Sequence, residues 1–234
     1  MPNSPLTETM RPKRQIRSFV RREGRITPAQ REALTELWTR YGIEDNDALL
    51  DCALLFGPGK PLTVEIGFGD GQCLRQLANA NQDMAYIGIE SHRPGAGRLL
   101  MSLQKDALTN VKVLIDDAVD ILTTRIASRS VDEFLIFFPD PWPKKRHHKR
   151  RLVNTDFLSS LARCLKPNGL IHIATDWDDY AQVIVDLIRA ESRLHNLSEQ
   201  GISPRPASRP ETKYERRGVR LGHQVYDIIA RRSP

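Results

Sequence analysis

A chain of 234 residues, 40% hydrophobic and 27% charged with a formal net charge of +6, is long enough to bury a sizeable core without disulfides or metals as staples. No apolar run approaches the roughly 20 residues of a membrane span, and Met1 to Met10 lacks the apolar block of a secretory signal, so the cytoplasm is the default location. Three isolated cysteines (Cys52, Cys73, Cys164) without CxxC spacing, and histidines without an HExxH or HxE pattern, argue against a zinc site or a disulfide frame.

Residues 1–26 mix Pro, Arg, Ser and Thr without periodicity and read as a basic arm, mobile until something binds it; Arg11 to Arg25 would also suit an organelle presequence, the minor alternative. Residues 27–234 read as one domain. Thr27 is a good N-cap, Pro28 suits the first helical position, and Ala33, Leu34, Leu37 and Trp38 recur at helical spacing. From there β-branched runs alternate with amphipathic ones. Strands are predicted over Leu62 to Ile66, Ala85 to Glu90, Val111 to Ile115, Val131 to Phe138 and Leu170 to Thr175. Helices are predicted near Gly71 to Ala80, Gly95 to Asp106, Val119 to Ile126, Thr155 to Leu165 and Asp179 to Glu191. This repetition predicts an α/β fold, a doubly wound, mostly parallel sheet with helices on both faces. Ser198 to Pro210 reads as a loop and Gln224 to Ala230 as a last strand.

Three strand ends carry the chemistry of a ligand site. The first strand runs through Glu65 into Gly67, Gly69 and Gly71, where missing Cβ atoms allow a sharp turn and close approach of a ligand; a Gly-rich turn without a ligand is the plain alternative. Glu90 ends the second strand about twenty residues on, where a carboxylate can accept ribose hydroxyls. Asp117 ends the third, either for an adenine amino group or as a helix N-cap. Gln72 stands where a dinucleotide fingerprint needs its third glycine, and Glu65 would repel a pyrophosphate, so a cationic adenosine cofactor fits better than NAD.

The fourth strand leads into Phe-Pro-Asp-Pro-Trp-Pro, residues 138–143, and then into the cations Lys144, Lys145, Arg146, Lys149, Arg150 and Arg151, which together equal the whole net charge. Prolines on both sides of Asp140 stiffen its backbone, and Trp142 offers a flat surface on which a base could stack. A solvated charge run is the usual alternative, but its nearness to the strand-end carboxylates favours a polyanionic partner. Asp176, beside Trp177 at the end of the fifth strand, is a substrate-contact candidate, whereas Asp178 or Asp179 reads as an N-cap. Thr212-Lys213-Tyr214-Glu215 is a capping box, or the start of a lid over a substrate.

Taken in order from about residue 62 to the C-terminus, Glu-Ile-Gly-Phe-Gly-Asp-Gly, Gly-Ile-Glu, Phe-Pro-Asp-Pro-Trp with its basic run, Thr-Asp-Trp and Thr-Lys-Tyr-Glu resemble the bacterial tRNA (guanine-N7)-methyltransferase family. The resemblance implies the class I methyltransferase fold, Rossmann-like with seven strands and the last antiparallel. It also implies S-adenosylmethionine as cofactor, no metal, and methylation of a guanine in the tRNA variable loop. Carried over, it implies cofactor contacts at Glu65, Gly67, Gly69, Gly71, Glu90, Asp117 and Asp140, with Asp140 also catalytic. Lys144, Asp176, Thr212, Lys213, Tyr214 and Glu215 would meet the substrate, and Arg146, His147, His148, Lys149, Arg150 and Arg151 the RNA. Pro143 and Tyr214 depart from the family pattern, where some members have His and Phe. No membrane and no obligate protein partner are implied, which leaves a monomer or homodimer. The competing readings are a dehydrogenase, a non-catalytic RNA-binding protein with a vestigial pocket, and an adenine-amino methyltransferase.

Overall fold

In a computed structural model the chain is described over residues 24–44, 46 and 48–234; most of the expected basic arm, residues 1–23, lies outside them. Continuous apolar runs become strands buried on both faces, as a sheet covered on both sides requires. β1 (Leu62–Ile66), β2 (Ala85–Ile89), β3 (Val111–Leu114), β4 (Val131–Phe137) and β5 (Leu165–Thr175) pair in parallel. β7 (Tyr226–Arg232) pairs antiparallel with β5, and β6 (Leu194–Asn196) antiparallel with β7. The order is β3-β2-β1-β4-β5-β7-β6, so the last strand alone runs against the rest, as expected.

The helices divide between the two faces. α1 (Pro28–Glu36), α2 (Trp38–Tyr41), α4 (Gln72–Ala80) and α5 (Arg93–Lys105) pack Leu34, Tyr41, Leu74 and Leu99 against Tyr86 and Val113. On the other face α6 (Ala118–Thr124), α7 (Thr155–Cys164) and α8 (Asp178–Ala190) bury Ile121, Phe157, Leu161 and Ile184 with Val64, Ile87, Phe134 and Ile173. Each of these large side chains contributes roughly 1.5–3 kcal/mol on burial. Gly88 in β2 allows the close layer spacing on the first face, because a Cβ there would fall 2.7 Å from both Leu74 and Phe68.

The differences from expectation are local. β5 begins at Leu165, which pairs with Val131 ahead of an irregular register, and this ends α7 one residue early. α3 (Cys52–Phe56) and β6 are too short to leave a periodic signal. Residues Lys145–Arg150 form a 3-10 helix, and α9 (Lys213–Arg220) follows the Pro-rich loop. Outside β3, Gly42 makes a parallel bridge to Val113, Ile43 N–H donates to the Val113 carbonyl (2.9 Å), and Lys112 Nζ donates to the Arg40 carbonyl (2.6 Å).

Strand order reverses between β1 and β4, and a crevice opens beyond the carboxyl ends of the strands at such a point. Among the described residues no helix is long and apolar enough to cross a membrane, and no group of three or more His, Cys, Asp or Glu is arranged to hold a metal ion.

Candidate active site

The crevice is a cavity of about 500 Å³ walled by the ends of β1, β2 and β4, the segments that follow them and β3 and β5, and α9. On its first side β1 turns through Gly67 (φ 75°) and Gly69 (φ 61°), both left-handed and both lining the cavity. A Cβ on either would meet nothing within 4 Å, so bare backbone faces the open space. Gly71 does different work. It is not part of the lining, and its Cβ would fall 2.6 Å from Leu99, so it lets α4 approach α5.

Glu90 is held in place by backbone. Its Oε2 accepts from Gly69 N–H (2.9 Å), and its Oε1 accepts from Ser91 N–H (2.8 Å) and His92 N–H (3.0 Å). Asp116 and Asp117 follow β3 on the same wall, and Asp117 caps α6 by accepting from Val119 N–H (2.9 Å).

Glu65 sits behind this wall, 3% exposed, with its Oε2 buried and unbonded among the described residues. Burial, reinforced by the carboxylates of Glu90 and Asp70, pushes its carboxyl up to about 8. The unfolded chain releases this proton near 4.5, so between about pH 5 and 8 the folded state binds more protons and stability falls as pH rises. Glu65→Gln removes that dependence. The calorimetric melting temperature of the wild type minus that of the variant is therefore expected to decline across the window; a constant difference would mean that Glu65 is not held neutral.

Asp140 lines the crevice and is exposed. Phe138 N–H donates to the Ala174 carbonyl (2.7 Å), and both Phe138 (φ 55°) and Trp142 (φ 43°) take left-handed backbone on either side of Asp140. Such conformations cost roughly 1–3 kcal/mol each and persist where surrounding structure fixes them. The fixing group is Arg151. Its Nε donates to the Pro141 carbonyl (2.8 Å), its Nη2 bonds Asp179 Oδ2 (2.5 Å), and its guanidinium lies 4.6 Å from the Tyr180 ring centroid.

At 4% exposure Arg151 belongs to this scaffold and is not available to RNA, which corrects the expectation from sequence. Arg151→Ala should cost about 1–3 kcal/mol, because the carbonyl and carboxylate it serves lose their partner. A urea midpoint indistinguishable from wild type would contradict this. Lys144, Lys145, Arg146 and Lys149 are exposed, whereas Arg150 packs over the Trp142 ring (5.1 Å), with His147 edge-on at 5.9 Å.

The far wall is Asp176 at the end of β5 with α9 above it. Thr212 and Glu215 form the capping box, and Tyr214, Arg217 and Gly218 line the cavity, followed by Leu221 and His223. α9 lies close: a Cβ on Gly218 would fall 2.9 Å from Asp176 Oδ2, and His223 Nδ1 is 3.4 Å from the same oxygen. Lys213 bonds Asp70 (2.9 Å) beside the glycine turn; burial raises the Asp70 carboxyl, but Lys213, together with Gln72 N–H and Arg98, holds the group below its usual range. Glu215 is 5% exposed and bound to Arg205 and Arg209.

One cavity thus gathers Gly67, Gly69, Glu90, Asp117, Asp140, Asp176 and Tyr214. Glu65, Gly71, Lys144, Thr212, Lys213 and Glu215 are not among its lining residues, and Glu215, expected at the substrate, is committed to the fold.

Comparison with known proteins names the family. Residues 59–228 match the family described as "Putative methyltransferase". A tRNA (guanine-N(7)-)-methyltransferase of Alkalilimnicola ehrlichii is 49% identical over 223 residues, covering 94% of this chain and 94% of its own. That of Alcanivorax borkumensis is 46% identical over 223 residues, covering 95% of this chain and 93% of its own. The chain belongs to the tRNA (guanine-N(7)-)-methyltransferase family. In fold alone, it resembles the solved 16S rRNA (adenine(1408)-N(1))-methyltransferase of Catenulisporales acidiphilia, with a TM-score of 0.56 at 16% identity over 78% of this chain and 90% of that one.

For this member of the tRNA (guanine-N(7)-)-methyltransferase family, sequence reasoning overlooked Arg217, Leu221 and His223 in the cavity wall and named Trp177 only as the neighbour of Asp176. Helical spacing from the capping box was the available signal for Arg217 and Leu221, which follow Tyr214 by three and seven residues.

Proposed function

We propose that this chain transfers a methyl group from S-adenosylmethionine to N7 of a guanine in the variable loop of tRNA, in the cytoplasm. The observation that carries this reading is that one cavity holds Asp140 together with Gly67, Gly69, Glu90 and Asp117 and with Asp176, Tyr214 and Arg217, an exposed cationic helix beginning five residues after Asp140.

The residues of the first half fit the cofactor. Open space above Gly67 and Gly69 leaves room for it, and Glu90, Asp116, Asp117 and Asp140 make a wall complementary to a cation. Glu90 would hold the ribose, Asp117 the adenine edge, and Gly67 and Gly69 the backbone contact. When bound, the cofactor supplies an electrophilic methyl group on a sulfonium.

Guanine N7 has a free in-plane lone pair at neutral pH, so the protein needs no general base and its task is orientation. Asp140 and Asp176 accept the N1–H and amino donors of a guanine turned out of the RNA, while Tyr214 or Trp142 covers its face. The base becomes cationic as the methyl group is transferred, and these carboxylates stabilise the developing charge. Lys144 and the exposed face of the 3-10 helix hold the phosphates.

Incubation with methyl-labelled S-adenosylmethionine and unmodified tRNA, followed by borohydride and aniline treatment, is expected to break the RNA at one variable-loop guanine. Label incorporated without scission, or scission elsewhere, would overturn the site or the base.

A further inference from the structure

Helix α9 rests on little apolar surface, since of its eight residues only Glu215 and Gly218 are buried. A helix this short is not stable alone. It is held by a buried ionic chain. Arg209, 3% exposed at the end of the Pro-rich loop, donates from Nη1 to Glu215 Oε2 (2.7 Å) and from Nη2 to Glu215 Oε1 (2.8 Å). Its Nε lies 2.7 Å from Asp227 Oδ1 on β7, and that oxygen is 2.6 Å from His172 Nε2 on β5. Arg205 closes the outer side at 2.9 Å from Glu215 Oε1.

The same guanidinium also reaches the cavity floor. It lies 5.7 Å from the ring centroid of Phe137, which meets the His172 ring edge-on at 5.0 Å. Phe137 lines the cavity and ends β4, three residues before Asp140.

We infer that Arg209 is a positioning residue for the methyl-transfer site: by gripping Glu215 and bearing on Phe137, it fixes α9 against the end of the strand that leads to Asp140, so that Tyr214 and Arg217 face the same space as Asp140. This deepens the proposed function and rests on it. It also gives Glu215 a part in activity without substrate contact. Lysine cannot replace the guanidinium, because a point charge does not bond one carboxylate in bidentate fashion while touching a second.

The test uses the full chain as wild type, Arg209→Lys, Glu215→Gln and the double variant. Each single variant is expected to lower kcat/KM for tRNA about 30-fold, the scale of a small misplacement of a site wall. The Kd for S-adenosylhomocysteine should stay within about threefold, amide exchange should quicken only in residues 213–220, and the double variant should be no worse than the poorer single, because both remove one link. Additive losses, a parallel loss of S-adenosylhomocysteine affinity, exchange spreading through β5 and β7, or kcat/KM within about threefold of wild type would overturn it. If Arg209→Lys does not fold, Arg205→Ala, at the solvent edge of the chain, should lower kcat/KM about three- to fivefold with the same exchange pattern, and unchanged exchange in α9 would sink the proposal. A wild-type protein that never methylates tRNA would refute the proposed function, whereas the exchange data test Arg209 separately.

Discussion

Replacing Asp140 by asparagine is expected to lower kcat with saturating tRNA by about 10²–10³-fold, roughly 3–4 kcal/mol of lost transition-state stabilisation. The melting temperature should barely move. Among the described residues, none hydrogen-bonds or ion-pairs with this carboxylate, whereas its backbone is fixed by Phe138 N–H on Ala174 and by Arg151 on the Pro141 carbonyl. The side chain is therefore free while its origin is not, the arrangement a preorganised acceptor requires. Asparagine keeps the shape but presents one acceptor oxygen and an NH₂ group to a base edge that is itself a donor, and it gives no charge to a purine turning cationic. Single-turnover kinetics alongside calorimetric unfolding measure both quantities. A kcat within about threefold of wild type would remove Asp140 from the chemistry.

Binding of tRNA should weaken steeply with salt. With Arg151 committed to Asp179 and Pro141, five cations of the basic run remain, Lys144, Lys145, Arg146, Lys149 and Arg150. If each neutralises one phosphate of a single-strand-like site, log K falls against log salt with a slope near −3.5, about a 10²-fold loss between 50 and 200 mM. Arg146→Ala with Lys149→Ala should lift the slope by about 1.4, whereas Arg151→Ala should leave it unchanged while destabilising the fold. Fluorescence anisotropy over a salt series provides the numbers. A wild-type slope shallower than about −1.5 would place the RNA on another face.

What the sequence revealed, and what it did not, follows from the range of the interactions. β2 and the second half of β4 are legible because strands buried on both faces spell themselves out as apolar runs, Ala-Tyr-Ile-Gly-Ile among them, and β1 keeps Leu62, Val64 and Ile66 on either side of Thr63 and Glu65. The carboxylates at the strand ends were legible because the topology sends every such end to one crevice. Arg151 was not. Nothing in its neighbourhood sets it apart from Arg150, and its burial is decided by Asp179, distant in sequence, and by a carbonyl of the preceding loop.

Glu215 shows both sides of this. Its bond to Thr212 is local and could be read as a capping box, but its tie to Arg209 depends on how the loop folds back over β7. Gly69 and Gly71 belong to one motif, yet only the structure separates the glycine that faces the cavity from the one that admits Leu99. β6, three residues long, exists because β7 offers it an edge.

The two borders of the sheet have a bearing on self-association. Backbone groups along a border strand can template a strand from another chain, but here Gly42 and Ile43 already occupy part of the outer side of β3, and the opposite border ends in a strand of only three residues. Copies of this protein are thereby denied a long backbone template for amyloid-like growth from either border of the sheet.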